Sequence, residues 1–270
     1  MKAVYGPVHS WRLGRTLGVD IGAPDRKYCS FDCIYCPGDK RPRRATRRRH
    51  YVDLWALECL LKSDAIISGH VPFTDYVAFT GRCEPTLARN LGQAIELAKS
   101  LLGLPVAVLT NSSLMPADDV KHDLAKADMV VAKLDAADEE LFRTINRPFV
   151  QYSLTEIVDA LREFRRNYQG ELVIQTTVLD ANRASVPKLA AIAHDLSADE
   201  FQLNSRLPGG NGRVSAMATE VETIRSSFPD LNVTVSDTGD LLPERVADVI
   251  ELHRSGRHNA EVMLMAAGAP

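Results

Sequence analysis

The 270-residue chain predicts an α/β fold in which parallel strands are joined by helical crossovers. Short β-rich runs alternate with amphipathic helical runs six times, the pattern of βα units rather than of hairpins. The length suits one large domain with a filled core. No linker or internal repeat divides it, so a single domain over residues 1–258 followed by a tail, 259–270, is expected.

Leu17–Ile21 is the first strand, followed by a cysteine-rich loop and a helix near Leu54–Ser63. Tyr76–Phe79 is the second strand. The next helix, Leu91–Leu102, places Leu91, Ile95, Ala98 and Leu102 on one face. Val106–Thr110 is strand three, then a helix covers about Ala117–Ala125, and Met129–Leu134 is strand four. The following helix opens on Ser153 and Glu156, a capping-box pair, and carries Leu154, Ile157, Val158, Leu161 and Phe164. Leu172–Val178 is strand five, Val186–Leu196 a helix and Glu200–Leu203 strand six. Thr219–Phe228 and Pro243–Ser255 read as helices, with a further strand at Val233–Val235. Right-handed crossovers curl such a sheet toward a barrel or leave it open and doubly wound, and periodicity does not choose between the two. In either case reactive groups collect at the C-terminal strand ends.

Composition narrows the class. Apolar residues make up 45% and charged residues 25% of the chain, as in soluble globular proteins. The net charge of −3 gives no overall field toward nucleic acid or acidic membranes. No apolar run approaches the ~20 residues of a membrane helix, and Met1–Trp11 lacks the apolar stretch of a signal peptide. A cytoplasmic protein with no membrane partner is expected. Five cysteines, three of them crowded into Cys29–Cys36, suit metal binding in a reducing compartment better than disulfides.

Those three form C-x3-C-x2-C in the loop after the first strand, with Cys29, Cys33 and Cys36 as candidate ligands. Three thiolates so close together can hold three corners of a cubane cluster and leave the fourth iron open. A structural zinc site or an electron-transfer cluster is the alternative. Both take a fourth ligand, and only Cys59 and Cys83 remain.

With Tyr35 before its last cysteine, the loop resembles the signature of the radical S-adenosylmethionine (SAM) superfamily. The segment Gly81-Arg-Cys-Glu-Pro-Thr86 resembles that superfamily's glycine-rich SAM-binding turn, departing from it at Cys83, where the pattern has glycine. From Gly6 to Arg213 the resemblance narrows to a family of Fe–S oxidoreductases related to the archaeal tRNA wyosine-base synthase. It is carried by Gly6–Asp20, Leu109–Leu114, Leu134–Ala136, Phe142–Pro148 and Gln202–Asn204. The resemblance implies a partial, six-stranded (β/α) barrel, one [4Fe–4S] cluster, and S-adenosyl-L-methionine bound to its open iron. It further implies reductive cleavage to a 5′-deoxyadenosyl radical that takes hydrogen from substrate, with a reductant such as ferredoxin or flavodoxin supplying the electron. Wyosine synthases carry a second cysteine-ligated cluster, for which this chain has too few cysteines.

Gly81 lets backbone approach the methionyl group, and Glu84 can accept from its ammonium. Lys133 and Asp135 share a face of strand four. Asp135 matches a family position that orients substrate or cofactor ribose. Lys133 reads as a base or Schiff-base amine, or else as a plain ion-pair neighbour of Asp135. Asn111 ends strand three, while Gln202, Asn204 and Arg206 share parity on strand six. The amides can read adenine or sugar, and Arg206 can hold the SAM carboxylate. The turn 208–213 reads as a rim.

Directly after the cysteine loop, Lys40–Arg49 holds seven cations in ten residues. A phosphate backbone is the partner such a run fits, and a solvated loop is the alternative. A tRNA bound through Arg41–Arg49 is therefore one expectation for the substrate. A small metabolite or peptide is another, and a non-catalytic Fe–S or zinc module that binds RNA is a third.

Overall fold

The computed structural model describes residues 3–22, 27–36, 42–67, 69–204 and 218–236. The expected helix at 243–255, the tail, Arg206, the turn 208–213, Lys40 and Arg41 lie outside these residues. In chain order the strands are β1 (Val4–Ser10), β2 (Gly14–Val19), β3 (Tyr28–Cys29), β4 (Arg43–Arg44), β5 (Tyr76–Phe79), β6 (Val106–Thr110), β7 (Met129–Lys133), β8 (Glu171–Thr177), β9 (Glu200–Asn204) and β10 (Asn232–Val235). The helices are α1 (Leu54–Leu61), α2 (Asp64–Ile67), α3 (Leu91–Leu102), α4 (Asp118–Leu124), α5 (Glu139–Leu141), α6 (Leu154–Asn167), α7 (Val186–Asp195) and α8 (Ala218–Ser227). Among the described residues, no helix is long and apolar enough to cross a membrane.

Eight strands form one sheet in the order β1-β2-β5-β6-β7-β8-β9-β10, and β3 pairs with β4 in a separate short ribbon. From β2 to β10 every neighbouring pair in the large sheet is parallel. The six expected strands and the further strand are all present. Their buried Val, Ile and Leu runs are what a sheet covered on both faces demands. An additional strand, β1, pairs antiparallel with β2 at the edge. The Gly6–Pro7 pair interrupts its pattern, and the register shifts between Tyr5 and Val8 to absorb it. Proline is tolerated there because an edge strand leaves one side unpaired.

The crossovers pack the outer face. Leu91, Ala94, Ile95, Ala98 and Leu102 of α3 are buried, and the helix ends on Gly103 in the left-handed region, φ 62°. The expected Ser153–Glu156 capping box starts α6.

Curvature follows from one contact. Arg12, in the β1–β2 turn, lies against the side-chain amide of Gln175 on β8. Four strand spacings separate β2 from β8, so a flat sheet would hold them roughly 19 Å apart at ~4.8 Å per strand. The sheet therefore curls on itself, and small Ala78 and Ala107 make room inside for Leu13, Met129, Val131 and Val173. Burial lowers the Arg12 pKa to about 10, opposed by the charge of Glu200. The Gln202 amide donates to Glu200 at 2.9 Å and lies 3.1 Å from Gln175. These four side chains plug the floor of the curled sheet. Gln202, expected among the strand-end ligand readers, sits mid-strand, with its amide engaged in this floor.

Candidate active site

The cysteine loop lies over the C-terminal strand ends and is fastened on two sides. Toward β5, the Glu84 amide donates to Tyr28 O at 3.1 Å and the Tyr28 amide to Cys83 Sγ at 3.3 Å. Toward β7, Asp32 N donates to Asn146 O at 3.0 Å and Ile34 N to Ile145 O at 2.9 Å. Both acceptors belong to the π-helical turn Phe142–Asn146. Phe31 stacks edge-on against Phe142 with centroids 5.4 Å apart. Ser30, fully buried, is 2.5 Å from the Ser113 hydroxyl.

Each of the three loop sulfurs faces one side-chain N–H donor, and Cys29 also takes a backbone bond from Phe31. Asn111 Nδ2 lies 3.4 Å from Cys29 Sγ, Asn146 Nδ2 3.5 Å from Cys33 Sγ, and Lys27 Nζ 2.8 Å from Cys36 Sγ. Burial pushes the Cys29 thiol up to about 12, with the Glu84 charge adding to it. It pushes Cys33 up to about 11, with Asp135 adding and Lys133 opposing. Among the described residues, no three His, Cys, Asp or Glu side chains converge as ligands of a single metal ion would. A cubane takes each thiolate on a different iron. Three thiols on one loop, each beside a donor, fit that group.

Glu84 is buried at the end of the loop after β5. One oxygen accepts from Thr86 N (3.1 Å), Thr86 Oγ1 (2.7 Å) and Thr110 Oγ1 (2.6 Å), the other from Asn111 N (2.8 Å). Burial raises its pKa against these four lowering bonds. Oε1 is thus crowded by three donors, while Oε2, bonded among the described residues by Asn111 N alone, keeps an acceptor site. Gly81 is required by the protein's own packing, because a Cβ there would stand 2.3 Å from Asp20 Cγ. Asp20, at the end of β2, accepts from Gly22 N at 3.1 Å and Arg82 N at 3.0 Å, and burial raises its pKa. Cys83 is buried against Gly22, where a Cβ would come within 2.1 Å of its own.

Lys133 and Asp135 face the interior together but are not an ion pair. Lys133 Nζ donates to the Tyr35 hydroxyl at 2.8 Å and lies 4.5 Å from its ring centroid. Tyr35 donates to Asp135 Oδ2 at 2.5 Å, and Asn146 Nδ2 to the same oxygen at 2.9 Å. Thr177 N fills Oδ1 at 2.7 Å. Burial, then the Asp135 charge, raises the Tyr35 pKa well above its usual value. Asn182 ties Asp135 O to Thr177 O at 2.8 and 2.9 Å. Asn111 also bonds Ser30 Oγ (2.9 Å) and Ser113 N (3.0 Å). Asn204 closes β9 beside Ser236 at 3.4 Å.

The structure thus brings together Cys29, Cys33, Cys36, Tyr35, Glu84, Asn111, Lys133 and Asp135. Sequence reasoning missed Asp20, Lys27, Asn146 and Asn182. Asp20 is an acidic residue inside the expected apolar strand Leu17–Ile21, a signal that could have found it; the other three carry none that local pattern reveals.

The basic segment divides. Arg48 turns inward, with a side chain 10% exposed. It donates to Thr86 O (3.0 Å) and Ala88 O (2.9 Å) and pairs with Asp119 (2.6 Å) and Asp123. Arg44 donates to Phe149 O at 3.1 Å and lies over its ring. Arg43, Arg47 and Arg49 are exposed.

Comparison with known proteins agrees with this geometry. The radical SAM superfamily model matches residues 26–191. The chain is 34% identical over 210 residues to a UPF0026 protein of Methanocaldococcus jannaschii, covering 76% of this chain and 64% of that one. It is 37% identical over 178 residues to a UPF0026 protein of Synechocystis, covering 66% and 64%. The chain thus spans about 64% of the length of these curated relatives. Among solved structures, Streptococcus suis SuiB bound to S-adenosylmethionine matches with TM-score 0.61 at 15% identity, covering 83% of this chain and 52% of that one. A radical SAM methyltransferase from Sphaerobacter thermophilus matches with TM-score 0.56 at 15% identity, covering 82% and 66%. At such identities the likeness is one of fold.

Proposed function

The chain belongs to the radical SAM superfamily, and from that premise we propose that it is an enzyme holding one [4Fe–4S] cluster on Cys29, Cys33 and Cys36. The observation that carries the reading is a loop of three cysteines over the strand ends with no fourth cysteine free to join it. Cys59 is exposed on α1, and Cys83 is buried in the turn after β5 with its side chain packed on Gly22. When bound, the cluster supplies one electron to SAM, whose cleavage yields a 5′-deoxyadenosyl radical for hydrogen abstraction. A ferredoxin- or flavodoxin-type reductant supplies that electron, in keeping with a cytoplasmic setting.

The chain's own residues position the reactants. The turn at Gly81 and Glu84, with Tyr35, Asn111 and Asn204, borders the SAM side. Lys133 and Asp135 bracket the Tyr35 hydroxyl, with the half-buried Lys133 ammonium contacting substrate and Asp135 fixing Tyr35. Exposed Arg43, Arg47 and Arg49 beside the cysteine loop support RNA as the substrate class, with phosphate contacts made by these three rather than by Arg48.

The test is anaerobic reconstitution with iron and sulfide, then SAM and dithionite, with 5′-deoxyadenosine read by mass spectrometry. Product that disappears in Cys33→Ala supports the reading. A chain that holds four irons yet makes no product, with or without tRNA, sinks it. Arg47→Ser with Arg49→Ser should weaken tRNA binding and flatten its salt dependence; unchanged binding refutes the RNA substrate.

A further inference from the structure

The three N–H···S contacts come from three separate segments. Lys27 precedes β3, Asn111 follows β6, and Asn146 ends the π-helical turn after β7. The two amides cannot turn over. Asn111 Oδ1 accepts from Ser113 N at 3.0 Å, which leaves its nitrogen for Cys29 and Ser30. Asn146 Nδ2 donates to the Asp135 carboxylate at 2.9 Å, so its nitrogen must face Cys33 as well. Holding the loop needs none of these side-chain contacts, because backbone bonds from Asp32, Ile34 and Ala45 already do so.

We propose that Lys27, Asn111 and Asn146 are positioning residues, one side-chain donor to each cluster cysteine, that set the reduction potential of the cluster. This rests on the cluster reading above. Reduction adds negative charge that spreads onto the sulfurs, and hydrogen bonds to those sulfurs stabilise the reduced form. The two amide contacts are partly buried, where a lowered dielectric strengthens them. The Lys27 contact is shorter and carries a full charge, but Cys36 is exposed and water screens it. The set therefore keeps the cluster within reach of an external one-electron reductant, and removing any donor should make it harder to reduce.

The experiment is a mediated redox titration of the anaerobically reconstituted chain, read by the electron paramagnetic resonance signal of the reduced cluster, with iron and sulfide counted in each sample. At a fixed potential, Lys27→Met should lower the ratio of reduced to oxidised cluster by about tenfold, which is about 59 mV for one electron. Asn111→Ala should lower it roughly threefold, and Lys27→Arg should stay near wild type. A merely structural role would move iron content or melting temperature and leave the ratio alone. Variants with full iron and an unmoved ratio overturn the donor set. A wild-type chain that assembles no four-iron cluster overturns instead the reading on which it rests.

Discussion

Arg48→Met separates the structural arginine of the basic segment from its exposed neighbours. The substitution keeps an aliphatic stem and removes every donor. Two carbonyls, Thr86 O and Ala88 O, lose their bonds, at about 1 kcal/mol each. Asp123, with a side chain 13% exposed, keeps its charge without the cation. Stranding a fully buried carboxylate costs roughly 3–5 kcal/mol, and partial access to water reduces this to about 1–2 kcal/mol. Asp119 is 62% exposed and adds at most ~1 kcal/mol. The expected loss is about 3–5 kcal/mol, read as a lower midpoint in urea at constant slope. Arg47→Met, on an exposed side chain, should stay within ~0.5 kcal/mol. A loss below about 1 kcal/mol for Arg48→Met would refute the reasoning, since it would mean that the carbonyls and Asp123 find equal partners in water.

Gly22→Ala should destabilise the chain by about 1–3 kcal/mol through overpacking, because the new Cβ meets Cys83 Cβ at 2.1 Å. Adding Cys83→Gly should recover most of the loss in a double-mutant cycle; additive losses would disprove the contact. Asp75, bound by Arg15 at 2.8 and 2.9 Å, has its pKa lowered to about 2, chiefly by that side chain. A carboxylate depressed in the fold stabilises it above the unfolded pKa and stops doing so as pH falls through the folded one. Melting curves of wild type and Asp75→Asn should therefore differ at neutral pH and converge between about pH 4 and pH 2. A gap constant down to pH 2 would contradict this. Glu84→Gln should lower SAM affinity by calorimetry and, by loosening the Asn111 amide that the carboxylate holds, lower the ratio of reduced to oxidised cluster at full iron; unchanged SAM affinity would refute its place on the SAM side.

The parallel core was legible because strands covered on both faces must be apolar along their length, as residues 106–109 and 129–132 show. β1 was not, because Gly6 and Pro7 read as a break and only pairing with β2 shows them absorbed by a register shift. The cysteines were legible because their spacing is local. Their surroundings were not. Asn146 reaches Cys33 across 113 residues, and Asp20 reaches Arg82 across 62, distances at which sequence pattern carries no contact information. Arg47, Arg48 and Arg49 are indistinguishable as letters, and only the packing of Asp119 and Asp123 selects the middle one. Gly81 was expected for the cofactor's sake, and the structure adds a second reason in Asp20.

These separations have a consequence for how the site is built. On one side, Glu84 joins Thr86, Thr110 and Asn111, and the Asn111 side chain then reaches Ser30 and Cys29. On the other, Asp135 gathers Tyr35, Asn146 and Thr177, and Asn146 reaches Cys33. Each buried carboxylate is held by neutral donors, four bonds at Glu84 and three at Asp135, and each fixes one of the amides that touch the sulfurs. A change at Glu84 or Asp135 therefore propagates to a cysteine through a single intervening side chain. Cluster and strand ends form one polar unit, so substitutions on either side of the loop should couple more strongly to each other than their separation along the chain suggests.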